Sequence, residues 1–275
     1  MMKIAIQGEL GSFSHQAALR SIPDATVIPC ALSLDAFDRL RKGDVDSIMI
    51  PIENTLAGSV VEHYDLLREH PVFIERETVI RIEHNVIGIK GSKIEELRRI
   101  YSHPVALAQC RSFFQQHPGM EPVAFYDTAG AVKQIIQLQD PHAAAIAGIQ
   151  AADMYGGVVL AEGVEDDVAN FTRFLLVREG MPASHPQGLQ KLSLCCQVMH
   201  RPGALAGVLA EIGSAGGNLT QVQSRPVHGQ PWHYHVFIDA LLPDASAADT
   251  LLDRLGGMSV SHKVLGRFAP APEFA

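Results

Sequence analysis

A chain of 275 residues, 47% of them hydrophobic, can bury one sizeable core and a smaller one, so it reads as a globular protein of roughly two domains. Its net charge of -8, with no run of Lys or Arg, excludes attraction to nucleic acid or to an anionic membrane, which needs clustered basic charge. The N-terminus shows no basic segment ahead of a long apolar one and no stretch nears about 18 uninterrupted apolar residues, so a cytoplasmic protein without membrane contact is expected.

In chain order, residues 3–7 read as a strand, followed by the turn Gly8-Glu9-Leu10-Gly11-Ser12-Phe13-Ser14 with Ser14 as N-cap of a helix over 15–21. Such a helix start suits an anion, but the glycine spacing matches neither the dinucleotide nor the P-loop fingerprint. An amphipathic helix over 34–41 ends at Gly43; a strand over 46–51 runs into Ile52-Glu53-Asn54-Thr55-Leu56-Ala57-Gly58-Ser59-Val60, and a helix covers 61–68. Strands over 71–74, 77–82 and 84–89, a short helix over 92–98 and a strand over 100–102 follow. Pro104 stands in the first turn of the next helix. A strand over 123–126, a helix opening at 127–133 with Asp127 or Thr128 as cap, a strand over 143–149 and a helix over 150–155 continue the alternation. It predicts α/β architecture with a largely parallel sheet.

The apolar strand over 174–177 carries Asn170, Thr172 and Arg173 at its mouth, an amide, a hydroxyl and a guanidinium that together could hold an anion and deliver a proton. Small hydroxyl, amide or glycine residues also stand at the junctions 11–14, 54–59, 102–109, 127–130 and 148–150. Each alone is explained by helix capping. Repeated at strand ends, where open α/β sheets bind ligands, they predict a cleft for a small multiply charged anion. Other clusters offer less. Cys30, Cys110, Cys195 and Cys196 have no zinc spacing and read as buried free thiols. His233 and His235 share a strand face but lack a third ligand. Glu165, Asp166 and Asp167 are either a metal site or, more commonly for such a run, a solvated loop. His103 is an acid or base, or a cap and shaper of the pocket.

Five ordered motifs resemble those of prephenate dehydratase: residues 8–14, Pro51 to Val60, Ser102-His103-Pro104 with Gln109-Cys110, Asp127-Thr128-Ala129-Gly130-Ala131-Val132, and Asn170-Phe171-Thr172-Arg173-Phe174, together spanning residues 3–178. The resemblance implies a two-lobed catalytic region like a type II periplasmic binding protein over 1–180, with lobe one at about 1–78 and 160–180 and lobe two at about 79–159. It implies conversion of prephenate to phenylpyruvate in phenylalanine biosynthesis, with no metal and no organic cofactor. Thr172 would donate to the leaving hydroxyl. Arg173 would hold a carboxylate or brace the Thr172 loop. Ser14, Asn54, Thr55, Ser102, Gln109, Thr128 and Asn170 would complete the pocket, with Phe174 there or packed beneath it. Val105 stands where the family commonly has Gln.

Residues 181–190 read as a Gly/Pro-containing linker. Beyond it, strands over 191–199, 219–224, 232–240 and 260–267 with helices over 203–215 and 247–255 make βαββαβ, the order of a ferredoxin-like module. Gly203-Ala204-Leu205, and Asn218 with Gln223-Ser224-Arg225-Pro226, resemble the effector motifs of the ACT domain in these dehydratases. The resemblance thus implies a regulatory ACT domain over 191–275, inhibition by phenylalanine bound between two such domains, and a homodimer or homotetramer formed partly through them. Gln223 replaces the family's usual Glu. On this reading residues 1–180 retain some catalysis without the remainder. Arogenate dehydratase and a small-anion binding protein without turnover are the alternatives.

Overall fold

The apolar runs at the centres of the strands over 3–7, 47–54, 85–88 and 143–147 are buried on both faces, which is why they lack a hydrophobic-polar alternation. The computed structural model describes residues 1–182, 184–199, 201–257 and 261–272; Val260, where the last strand was expected to start, lies outside them. The elements are β1 (Lys3–Gln7), α1 (Phe13–Ser21), β2 (Thr26–Cys30), α2 (Ser33–Arg41), β3 (Ser47–Asn54), β4 (Gly58–Ser59), α3 (Val61–Glu69), β5 (Val72–Arg81), β6 (Asn85–Gly88), β7 (Arg99–Ser102), α4 (Pro104–Ala108), α5 (Arg111–Gln116), β8 (Glu121–Ala124) and α6 (Thr128–Leu138). After them come β9 (Ala143–Ala147), α7 (Ile149–Tyr155), β10 (Val158–Ala161), β11 (Phe171–Glu179), β12 (Gln190–Gln197), α8 (Ala204–Ser214), β13 (Asn218–Pro226), β14 (Tyr234–Leu242), α9 (Ala245–Gly257) and β15 (Ser261–Phe268). The chain groups into two compact units, Met1–Gly58 with Val79–Phe174, and Ser59–Thr78 with Leu175–Ala275.

The first unit holds two α/β lobes. In one, β1 pairs in parallel with β2 and β3, and Ile4, Ala5, Ile6, Ile48, Met49 and Ile50 have no exposed surface. In the other the strand order is β10-β6-β9-β7-β8. Strand β7 is parallel to β8 and β9, whereas β6 and β10 are antiparallel additions. Every residue of Ala143–Ala147 is buried, and α6 packs Val132 and Ile135 against that small-residue strand. The expected α/β class with two lobes is therefore present.

The second unit contains the βαββαβ module. Strand β12 lies between β14 and β15, all antiparallel, and β13 pairs outside β14. Helices α8 and α9 cover one face through Val208, Ile212, Ala248, Leu251 and Leu255. The module also takes in Ser59–Thr78 from the first half of the chain. There β15 runs parallel to β5, with Gly266 opposite Ile74. A Cβ at residue 266 would stand 2.7 Å from Ile74 atoms, so the two backbones meet only because this residue is glycine. The Lys263 ammonium donates to the carbonyls of Leu67, Arg68 and His70 at the end of α3, which suits the negative end of a helix.

Several expectations need correction. Strand β2 was not read from sequence because Pro29 interrupts it; Pro29 is tolerated because β2 is the edge of its sheet. The two strands over 71–82 are the single strand β5, whose Glu75 and Arg76 break the apolar pattern but not the backbone. The helix over 92–98 shrinks to a 3-10 turn at Ile94–Glu96. The cap of α1 is Ser12, whose hydroxyl accepts from the His15 N–H, and not Ser14. Among the described residues no helix is long and apolar enough to cross a membrane.

Candidate active site

Strand β3 ends at Asn54 and strand β11 starts at Phe171, and their ends are stitched together. The Thr55 N–H donates to the Phe171 carbonyl, while the Thr55 hydroxyl donates to Ala169 O and accepts from Phe171 N–H. Thr55 has thus spent its hydroxyl on the loop. Asn54 is oriented by backbone donors, because its Oδ1 accepts from the N–H groups of Leu56 and Ala57 at 3.0 and 2.8 Å. Its Nδ2 must therefore point the other way, and it donates to Asn170 Oδ1 at 2.7 Å and to Thr172 Oγ at 2.9 Å.

That direction decides what Thr172 can do. Its oxygen already accepts a proton from Asn54, and among the described residues its own O–H has no acceptor, so that proton is free to be donated. The second lobe closes the network through Gln109, which donates Nε2 to Asn54 Oδ1 at 3.3 Å and accepts from Asn170 Nδ2 at 3.0 Å. Arg173 is 4% exposed and its guanidinium lies 3.4 Å from Glu53 on β3. Phe174 is a core residue at 2% exposure.

The remaining expected residues divide. Ser102 is fully buried and donates to Ile146 O, tying β7 to β9 inside the second lobe. His103 Nδ1 accepts from Val105 N–H and caps α4. Thr128 opens α6 behind the cap Asp127, whose carboxylate accepts from Gly130 N–H. Burial raises the Asp127 carboxyl above its usual range, and backbone hydrogen bonds oppose that shift. Ser14 is buried in the first turn of α1.

Two contributions could not be read from local pattern. Glu9, in the turn after β1, accepts from Tyr126 at 2.8 Å and from Lys133 at 3.0 Å, linking the first lobe to α6 of the second. Gly8 makes that turn with φ of +95°, a conformation that glycine adopts freely. Burial would raise the Glu9 carboxyl, but hydrogen bonds from Tyr126 and Lys133 leave it below its usual value. The run Glu165-Asp166-Asp167 lies in a loop with Asp166 and Asp167 exposed, as expected of a solvated run, but Glu165 is buried and all three carboxylates accept hydrogen bonds. Glu165 accepts from His84 N–H and Arg81; Asp166 accepts from Arg111 and Ser112 N–H groups at the start of α5; Asp167 accepts from Ala169 N–H. Among the described residues no group of three or more His, Cys, Asp or Glu is placed to hold a metal ion, and all four cysteines are buried free thiols.

In the second unit, Ala204, Leu205 and Ser224 line a cavity of about 550 Å³ with Val198, Met199 and Val236. Gly203 takes φ of +78° ahead of α8. Neighbouring strand residues point to opposite faces. Gln223 and Arg225 accordingly leave the Ser224 face: Gln223 donates to the Ser224 carbonyl, and Arg225 grips Asp65 of α3 through two hydrogen bonds. Asn218 and Pro226, the two ends of β13, are exposed.

Two α/β lobes joined through a polar network with an uncommitted hydroxyl, plus a βαββαβ module, define a small-molecule enzyme fold carrying a regulatory-type domain. The family model of prephenate dehydratase matches residues 4–182, and the chain belongs to that family. It is 34% identical to arogenate dehydratase 2 of Petunia hybrida, over 97% of this chain and 71% of that one. It is 32% identical to a bifunctional N-acyl-homoserine lactone acylase/prephenate dehydratase of Komagataeibacter europaeus, over 98% and 96% of the two chains. Among solved structures, prephenate dehydratase of Arthrobacter aurescens in complex with L-Phe superposes with a TM-score of 0.88 at 31% identity, covering 97% of this chain and 89% of that one.

Proposed function

We propose that the protein is a prephenate dehydratase, with residues 1–180 supplying the catalytic groups and residues 191–275 a phenylalanine-responsive domain. In the reaction the bond from the ring to its carboxylate breaks, and its electron pair moves through the ring as the ring hydroxyl leaves. Carbon dioxide departs, the hydroxyl takes a proton that comes in net from solvent and leaves as water, and aromatisation yields phenylpyruvate. The carrying observation is the Thr172 hydroxyl, which accepts from Asn54 and keeps its own proton available for the leaving group. A positioned donor of this kind is worth about 100- to 10,000-fold. Thr is a weak acid, so its part is hydrogen bonding to the departing oxygen in a site held by fixed dipoles. Arg173, buried beside Glu53, serves as the brace of the Thr172 strand. Asn54, Gln109 and Asn170 set the hydroxyl's direction, Thr55 and Ser102 hold the two lobes' local frames, and Ser14 and Thr128 offer helix starts to the substrate carboxylates.

Phenylalanine is the proposed effector, bound where Ala204, Leu205 and Ser224 line the cavity. Gln223, which donates to the Ser224 carbonyl, lacks the charge that the family's usual Glu could offer to the amino group of phenylalanine, so weakened inhibition goes with this reading. A homodimer or homotetramer, formed partly through this module, accompanies the reading. Arogenate is the competing substrate, since relatives at similar identity carry either name. Purified protein is assayed for phenylpyruvate from prephenate and for phenylalanine from arogenate, each with added phenylalanine as a further arm. Prephenate turnover suppressed by phenylalanine is the expected result. Turnover of arogenate alone would transfer the activity to the transaminated substrate, and turnover of neither would overturn the reading.

A further inference from the structure

The network that orients Thr172 extends one residue further, to a histidine outside every motif considered so far. Gln109 Oε1 accepts from Asn170 Nδ2 and also lies 3.0 Å from His84 Nε2. An amide oxygen cannot donate, so His84 Nε2 must carry the proton. The ring is thereby the Nε2–H tautomer with a bare Nδ1, and Nδ1 is buried with no hydrogen-bond partner among the described residues. The residue is 2% exposed. Its backbone N–H is held by Glu165 at 2.8 Å and its ring meets the edge of Phe13, with centroids 5.8 Å apart. Burial holds the imidazole below its ordinary value, so the neutral ring persists at neutral pH.

We propose that His84 is a positioning residue for the reaction, whose Nε2–H pins the Gln109 amide and thereby keeps the Asn170 amide, which shares the Asn54 Nδ2 donor with Thr172, oriented so that the Thr172 proton faces the substrate. The inference rests on the dehydratase reading for its kinetic consequence but not for its geometry. Direction passes along a chain of groups that each have one correct orientation: His84 to Gln109, Gln109 to Asn170, Asn170 to Asn54, Asn54 to Thr172. The backbone amides of Leu56 and Ala57 pin the far end. Loss of the His84 donor leaves the Gln109 amide held only by Asn170 and by a 3.3 Å bond to Asn54, so Gln109 and Asn170 lose part of their orientation while the backbone amides still hold Asn54.

His84→Leu removes the donor at similar volume, and His84→Gln returns an N–H near the Nε2 position. His84→Leu is expected to lower kcat about tenfold with KM within about twofold, because a misdirected Thr172 is felt chiefly in the transition state. His84→Gln is expected to restore most of that loss while melting with the Leu variant. Placed in a Gln109→Leu background, His84→Leu should cost nothing further, since its route to Thr172 is already cut. A folded His84→Leu with unchanged kcat, or equal losses added in the Gln109→Leu background, would overturn the proposal. Nitrogen-15 spectra of histidine-labelled wild-type protein test the geometry whatever the substrate proves to be. An Nε2–H signal from a neutral His84 that changes in Gln109→Leu is expected, and an Nδ1–H or cationic ring would sink the relay even if prephenate is turned over. If the wild type turns over neither substrate while the spectra show the Nε2–H ring, the dehydratase reading fails and the relay stands without its kinetic role.

Discussion

At the scale of single residues, the direction of a hydrogen bond matters more than its presence. Thr172→Ala deletes the free proton without disturbing Asn54, whose remaining acceptors are Asn170 Oδ1 and Phe171 O. It should lower kcat by about 100-fold or more while KM moves less than about tenfold, read from steady-state kinetics with prephenate. Asn54→Asp is the sharper test. It is nearly isosteric and keeps the acceptor for Leu56 and Ala57, but it replaces the donor facing Thr172 by a second acceptor. The Thr172 proton then turns toward the carboxylate, and kcat should fall as far as in Thr172→Ala. Wild-type kcat in Asn54→Asp would mean that the hydroxyl's direction is irrelevant. Thr172 and Asn54 drew attention in the sequence as a hydroxyl and an amide at strand ends, and Gln109, at the end of α4, only through the family resemblance. The division of labour among them was not legible, since Thr55 and Ser102 have the same residue types and spend them on backbone carbonyls.

At the scale of elements, pattern sufficed where burial was uniform and failed where a distant side chain completed a local structure. Strands such as Ala143–Ala147 announce themselves by composition alone. Helix α5 does not, for its first N–H groups are satisfied by Asp166, which lies 55 residues beyond Arg111. No window on the sequence contains both. Asp166→Ala should therefore reduce stability by about 1 kcal/mol, as for other lost N-caps, measured from the denaturant midpoint. Burial tends to raise this carboxyl, but hydrogen bonds from Ser112 and Arg111 outweigh it and the folded value is lowered. A carboxyl depressed on folding contributes stability above its ordinary range and loses it as pH falls through the folded value. The gap between wild type and Asp166→Ala should thus close in acid, and a gap independent of pH would show that the carboxylate is not the cap.

At the scale of the whole molecule, cutting the sequence at residue 180 does not follow the grain of the structure. The βαββαβ order was legible from its alternation and turns, but nothing in residues 59–78 marks them as partners of the C-terminal half. What joins them is a set of long-range contacts, among them Arg225 on Asp65, Lys263 on the end of α3, and the fully buried ammonium of Lys191 at 2.8 Å from Glu77. Glu77 also accepts from Ala271 N–H, so it gathers β12 and the segment beyond β15 onto β5. A chain ending at residue 180 takes Lys191 and the Ala271 N–H away from this carboxylate, β15 away from Ile74 and Lys263 away from the far end of α3. Such a fragment should therefore unfold at lower denaturant than the full chain and lose activity with it, contrary to the expectation that residues 1–180 retain catalysis. The pair itself gives the cleaner measurement. Removing one member of a buried ion pair leaves the other charge without compensation and costs about 3–5 kcal/mol. Lys191→Met should show a loss of that size, while Lys191→Met combined with Glu77→Gln should recover a large part of it, because the neutral amide still accepts from Ala271 N–H without a buried charge. If the double variant is as unstable as the single one, packing of the lysine stem, and not the stranded carboxylate, holds this unit together.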